Sequence, residues 1–198
     1  MKDSPFVALQ PVNRVILAAG HGGKDTGACF GEYTEREEAI EIVNRVAALL
    51  VKQLPSDAVV IAPHKLDTHE TIPWLVEHGY TWGNAWALEL HRDSASGLAE
   101  DIASLRCGVY HGPSKASAAI GQCMAGVMRS MGAHSSTWAR PDTESRFTRL
   151  GWIRQPSALS HLLELGFMEG RHDSPHLDHL ARIAAAAILA AFDGRVLH

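Results

Sequence analysis

The run Arg14 to Ala19, RVILAA, stops at Gly20 and passes directly into the glycine-rich stretch GHGGKDTGA. A short β-branched apolar run that ends in glycine reads as a buried strand entering a tight turn. A helix follows soon after. Thr34 and Glu37 have capping-box spacing, and Ile40, Val43, Val46 and Leu50 recur on one face, so the spacing predicts a helix to about Val51. His21 then sits just past a strand end.

The alternation continues along the chain. Ala58 to Ala62, Ala85 to His91, Leu105 to His111, Leu150 to Arg154 and Leu159 to Leu165 read as further strands. Ser114 to Met131 reads as a helix with Ile120, Met124, Val127 and Met131 aligned, and a shorter helical piece is expected around Ile72 to Glu77. Residues 132 to 148 are polar and broken by Gly132 and Pro141, which predicts a surface loop placed to border a site. The last helix takes Ser174 as N-cap and Pro175 as its first helical residue, buries Leu177, Leu180, Ala184, Ile188 and Ala191, and stops at Gly194. Strands alternating with helices imply an α/β sandwich with a largely parallel or mixed sheet. Sites in such sheets gather at the carboxyl ends of strands, where His21, His91 and Glu164 fall.

The 198 residues suit one domain, read here as 1–198 with a core of about 14–193, and 46% hydrophobic content can fill its core. Charge is mixed, the formal net value is −4, and no basic block appears, so nucleic acid is not an expected partner. Pro5 and Pro11 interrupt any apolar run of signal length, and no stretch reaches the ~18 apolar residues of a membrane-spanning helix. Cytoplasmic synthesis is the expectation. Cys29, Cys107 and Cys123 form no CxxC pair, which fits reduced thiols.

GHGGKDTGA is not a phosphate loop, because Ala18 stands where the first glycine belongs and Asp25 where Ser or Thr would hold magnesium. A histidine among glycines can instead point an imidazole into a cleft. A catalytic zinc commonly takes two histidines and a carboxylate and keeps one position open. His21 is either such a ligand or an ordinary loop histidine, and His91 is either the second ligand or a strand-end histidine bonded to backbone. In TEREE, Glu37 is the capping residue expected to bend back to the Thr34 amide, which leaves Glu35, at the first helical position, as the candidate carboxylate ligand. A solvated acidic helix start is the alternative for the whole run. Glu164 interrupts the apolar run LLELGF, where a carboxylate must be paired, protonated or facing a cleft. It is a candidate general base or one half of a structural ion pair.

ILAAGHGGKDTGA, Glu35 ahead of an amphipathic helix, LELHRDS, and RLGWIRQPSALSHLLELGFMEG occur in this order over roughly residues 14 to 193. Together they resemble the zinc-dependent enzymes of the third N-acetylmuramoyl-L-alanine amidase family. The resemblance implies a single α/β domain with a mixed six-stranded sheet and hydrolysis of the amide between N-acetylmuramic acid and L-alanine in peptidoglycan. It implies one catalytic Zn2+ on His21, Glu35 and His91, Glu164 as catalytic residue, and Arg154 bordering the substrate cleft, where a structural salt bridge is the alternative. The substrate, peptidoglycan or a muropeptide, is the implied partner, and no protein partner is evident. A wall hydrolase without a visible signal fits a phage or prophage endolysin. Alternatives are a zinc peptidase acting within the stem peptide and a silent wall-binding module.

Departures from the family pattern are Ala18-Ala19 in place of Asp-Pro, and Arg92 and Asp93 after the second histidine, where a small residue and Asn are usual. These bear on substrate preference and on the hydrogen bonds around the ligands. His172, His176 and His179 read as a solvated helix start rather than a metal site. Nothing in their spacing requires His111 or Cys29 near the zinc. Trp74, Trp82, Trp86, Trp138 and Trp152 read as packing residues, Trp138 being the one placed in the polar loop.

Overall fold

Val15, Ile16 and Leu17 are inaccessible to solvent on both faces of the first strand, as the interior of a parallel sheet demands. The computed structural model describes residues 13–95 and 97–192. The N-terminal stretch with Pro5 and Pro11, and Gly194 at the predicted helix stop, lie outside them. Strand β1 (Arg14–Ala19) leads to a small hairpin, β2 (Cys29–Phe30) and β3 (Tyr33–Thr34), and then to helix α1 (Glu35–Leu50). Next come β4 (Val59–Ile61), α2 (Thr68–Glu77), β5 (Ala85–Asp93), α3 (Glu100–Leu105), β6 (Cys107–His111) and α4 (Lys115–Ser130). β7 (Trp138–Pro141), α5 (Gly151–Arg154), β8 (Leu159–Phe167) and α6 (Ser174–Phe192) follow.

The main sheet has the order β4-β1-β5-β8-β6-β7. All neighbouring pairs are parallel except β6 with β8, so the sheet is mixed, as the resemblance implied. One face carries Val15, Leu17, Leu88, Leu163 and Leu165 and packs against Ile42 and Val46 of α1, Met124 and Met128 of α4, and Leu180 and Ile188 of α6. Removing a fully buried side chain such as Leu88 as far as alanine should cost about 2–5 kcal/mol. The opposite face is lined by smaller residues, Ala18, Ala85 and Ala87 with Ile16 and Leu162, under Ile72 and Leu75 of α2 and Trp152 and Ile153 of α5. Because side chains alternate along a strand, Glu89 and His91 continue this second face beyond Ala85 and Ala87. Among the described residues no helix is long and apolar enough to cross a membrane.

Four local expectations need correction. Leu150 to Arg154 is not a strand: adjacent Trp152 and Ile153 are both buried, which a strand with one face covered cannot arrange, and the Ile153 and Arg154 amides close a helical turn on the Leu150 carbonyl. The loop at 132 to 148 contains edge strand β7, which exists because β6 offers it a parallel partner and which ends at Pro141. At α6 the cap is Asp173, whose carboxylate accepts the His176 amide, so Ser174 is already helical and Pro175 is the second helical residue. Thr34 does cap α1, but Glu37 accepts from the Thr34 hydroxyl at 2.8 Å rather than from its amide. Helix α2 also starts earlier than its apolar pattern suggests, at an Asp67–Glu70 capping box that Pro73 disguises in the sequence, and α3 carries no periodic signal at all.

Candidate metal centre

The turn after β1 sets the first histidine. The Gly20 amide donates to Leu90 O at 2.7 Å, tying the start of the turn to β5, and His21 itself takes a left-handed conformation with φ 65°. Such a φ is uncommon for a non-glycine residue and re-aims the ring. His21 Nδ1 lies 2.8 Å from Asp25 Oδ2, and its Nε2 lies 3.2 Å from Glu35 Oε2. Glu35, at the first position of α1 and 5% exposed, accepts the Ala28 amide at 2.9 Å on Oε2 and the Arg92 amide at 3.2 Å on Oε1. Its Oε1 also lies 2.8 Å from His91 Nδ1.

His21, Glu35 and His91 therefore converge, with one potential donor atom from each lying within 4.8 Å of the others. The two rings stand edge to face, their centroids 5.0 Å apart. Two glycines form the cradle: a Cβ at Gly20 would collide with the His91 ring, and one at Gly27 with the His21 ring and Glu35 Oε2. Gly27 also has φ 64°. Two imidazoles and a carboxylate are a donor set suited to zinc with an open position.

Strand β8 brings the fourth residue. Glu164 pairs in register with His91, and its Oε2 is buried without a hydrogen-bond partner. Burial raises its pKa to about 8; His91 opposes this, while the carboxylates of Asp93, Glu35 and Glu89 add to it. The histidines behave oppositely. Burial would lower both His21 and His91, but Glu35 outweighs it at His21, and Glu89 with Glu35 outweighs it at His91, so both are raised. Burial would raise Glu35, yet its bonds to the two histidines hold it far below the usual carboxylate range.

Residues 15–192 match the family model described as N-acetylmuramoyl-L-alanine amidase. The chain belongs to that family. Its activity is accordingly hydrolysis of the amide between N-acetylmuramic acid and L-alanine in peptidoglycan. Among solved structures, the amidase is similar to the N-acetylmuramoyl-L-alanine amidase AmiC2 of Nostoc punctiforme, with 19% identity, a TM-score of 0.68, and coverage of 91% of this chain and 98% of that one. The catalytic domain of CwlV, an amidase from Bacillus (Paenibacillus) polymyxa var. colistinus, gives 19% and 0.69 with the same coverage. An amidase from Clostridium difficile 630 gives 13% and 0.71, covering 93% of this chain and 99% of that one. No curated protein matches the sequence.

Arg154, at the end of α5, has its guanidinium held by a neighbouring carboxylate. Its guanidinium makes a two-pronged contact with Asp142, at 2.6 Å from Nε and 2.5 Å from Nη2, and Asp142 is fully buried. The fork is thus engaged in the ion pair that stood as the alternative. His172 stacks on Tyr33 with centroids 4.0 Å apart, and its Nδ1 lies 2.7 Å from Glu38 Oε1. His111 Nδ1 bonds its neighbour's carbonyl, and Cys29 is exposed. Among the described residues the metal-competent cluster consists of His21, Glu35 and His91 alone. Trp86 and Trp152 are buried packing residues, but Trp82 is 47% exposed, contrary to the packing expectation. Trp138 covers Gly108, the residue opposite Glu164 on β6, with Arg140 over its ring.

Of three further neighbours of this centre, sequence reasoning marked only Arg92, as a departure from the family pattern, and missed the other two. Asp25 is one, and its only signal was a spacing of four from His21. Arg92, which is fully buried, donates to Glu38, Phe167 O and Arg171 O. Glu89, 2% exposed, lies beside His91, and its signal was a carboxylate breaking an apolar strand.

Proposed function

We propose that the amidase works with one zinc ion held by His21, Glu35 and His91, and with Glu164 as its general base. The observation that supports this reading is the convergence of those three donors beside a buried carboxylate oxygen of Glu164 that has no partner of its own. When bound, zinc supplies Lewis-acid polarisation of the lactyl carbonyl and acidification of the attacking water.

The chain's own residues do the rest. Asp25 occupies Nδ1 of His21 and leaves Nε2 facing Glu35, and the Ala28 and Arg92 amides hold the Glu35 carboxylate in place. Outer contacts of this kind set ligand orientation. Glu164 accepts the proton of the attacking water and returns it to the departing L-alanine amine. A carboxylate whose proton affinity is raised toward neutrality is suited to both transfers. Gly108 and Trp138 beside Glu164 form a wall against which the substrate chain can lie.

The test is mass spectrometry of purified peptidoglycan digested by zinc-loaded protein, with metal content measured on the same sample. A new L-alanine amine with the lactyl group left on the sugar is the expected product. Cleavage inside the stem peptide, or activity undiminished after zinc removal, would overturn the proposal.

A further inference from the structure

Glu89 is an expensive residue in its place. It sits in β5 between Leu88 and Leu90, is 2% exposed, and an apolar side chain would suit the surrounding face better. A buried carboxylate persists only when specific partners compensate its lost hydration. Two partners are present. Thr68 Oγ1 donates to Glu89 Oε1 at 2.6 Å, and Glu89 Oε2 lies 3.1 Å from His91 Nε2.

The placement of Thr68 depends on several other features. It is the first residue of α2, whose start is held by the Asp67–Glu70 capping box. The segment before it passes so close to the glycine-rich turn that a Cβ at Gly22 would collide with the Leu66 carbonyl. The turn that carries His21 and the helix that carries Thr68 are therefore packed backbone against backbone. Glu89 itself is outside the cluster of mutually close donors formed by His21, Glu35 and His91. Its contact is with the edge of the His91 ring that faces away from Glu35, since His91 presents Nδ1 to Glu35 and Nε2 to Glu89.

We infer that Glu89, held by Thr68, is a positioning residue that fixes the His91 ring with Nε2 protonated and Nδ1 turned to the metal. The inference rests on the zinc reading above. A histidine ligand commonly hands its second ring N–H to a carboxylate, and removing that outer partner typically weakens metal binding by about 10–100-fold. The 3.1 Å contact falls short of hydrogen-bond alignment, so His91 Nε2 is buried with Glu89 as the acceptor within reach.

The experiment measures zinc affinity by chelator competition, and the His91 ring nitrogens by 15N NMR of zinc-loaded protein, for the intact chain and for Glu89→Gln, Thr68→Val and Thr68→Ser. Thermal melting of the metal-free forms controls for folding. Glu89→Gln should bind zinc at least ~10-fold more weakly and lose the protected Nε2–H signal. Thr68→Val should move in the same direction by less, and Thr68→Ser should restore the affinity of the intact chain. Equal zinc affinity in the intact chain, Glu89→Gln and Thr68→Val, at normal melting temperatures, overturns the inference and leaves the zinc reading standing. Loss of an oxygen ligand from the spectrum of the cobalt-substituted Glu89→Gln protein also overturns it, by making Glu89 a ligand. Failure of the intact chain to bind zinc overturns the zinc reading, and this inference with it. If Glu89→Gln does not fold, Thr68→Val decides.

Discussion

Glu164 stands directly across from His91 in the parallel pairing of β8 with β5, so burial raises the proton affinity of the carboxylate beside an imidazole whose own proton affinity the nearby carboxylates Glu89 and Glu35 raise. Neither residue has the other as a hydrogen-bond partner, and Glu164 Oε2 is left free for a water or a substrate group. The two side chains share a site without sharing a role.

That division predicts different failures for the two key carboxylates. Glu164→Gln keeps the side-chain shape and should retain zinc while losing turnover by ~100-fold or more, the usual scale of general-base catalysis. Glu35→Gln should lose zinc and activity together, because Glu35 bridges both histidines. Zinc content, melting temperature and amide-cleavage rate must be read on the same preparations. Near-normal cleavage by Glu164→Gln would remove that residue from the mechanism.

The raised pKa of Glu164 also predicts a pH dependence for the metal-free chain. Its folded value of about 8 lies above the unfolded value of 4.5, so the stability it contributes is complete below pH 4.5 and is lost as pH rises through about 8. Between those limits the intact chain should lose stability relative to Glu164→Gln, which has no proton to release there. Denaturant titrations of both proteins across that range give the comparison, and parallel curves would show that Glu164 ionises normally.

The glycine cradle predicts a steric effect. Gly20→Ala drives a methyl group into the His91 ring, and Gly27→Ala adds left-handed backbone strain to a clash with His21 and Glu35. Overpacking of this kind typically costs about 1–3 kcal/mol. Both variants should lose zinc affinity, and Gly27→Ala should lose more thermal stability. Gly83→Ala, which meets open space, serves as the control.

Arg154 separates a structural role from a substrate role. Arg154→Gln leaves Asp142 buried without its ionic partner, so the melting temperature should fall, and adding Asp142→Asn should recover part of the loss. A rise in KM with an unchanged melting temperature would instead give Arg154 to the substrate.

The local units are set within short stretches of the chain. RVILAAG, the Thr34 cap, the apolar stripe of α1 and the strand around LLELGF were legible because each is specified by residues a few positions apart. The proximity of His21 and Glu35 was nearly legible for the same reason, since only the glycine-rich turn and one small hairpin join β1 to α1. The tertiary structure alone decided that β8 lies between β5 and β6, which puts Glu164 beside His91, and that 138–141 joins the sheet as β7. It alone turned Glu89 toward His91 and engaged Arg154 with Asp142. Periodicity tells a side chain which face it occupies, but strand order and long-range packing choose its neighbours. The chemistry of a buried carboxylate is set by those neighbours.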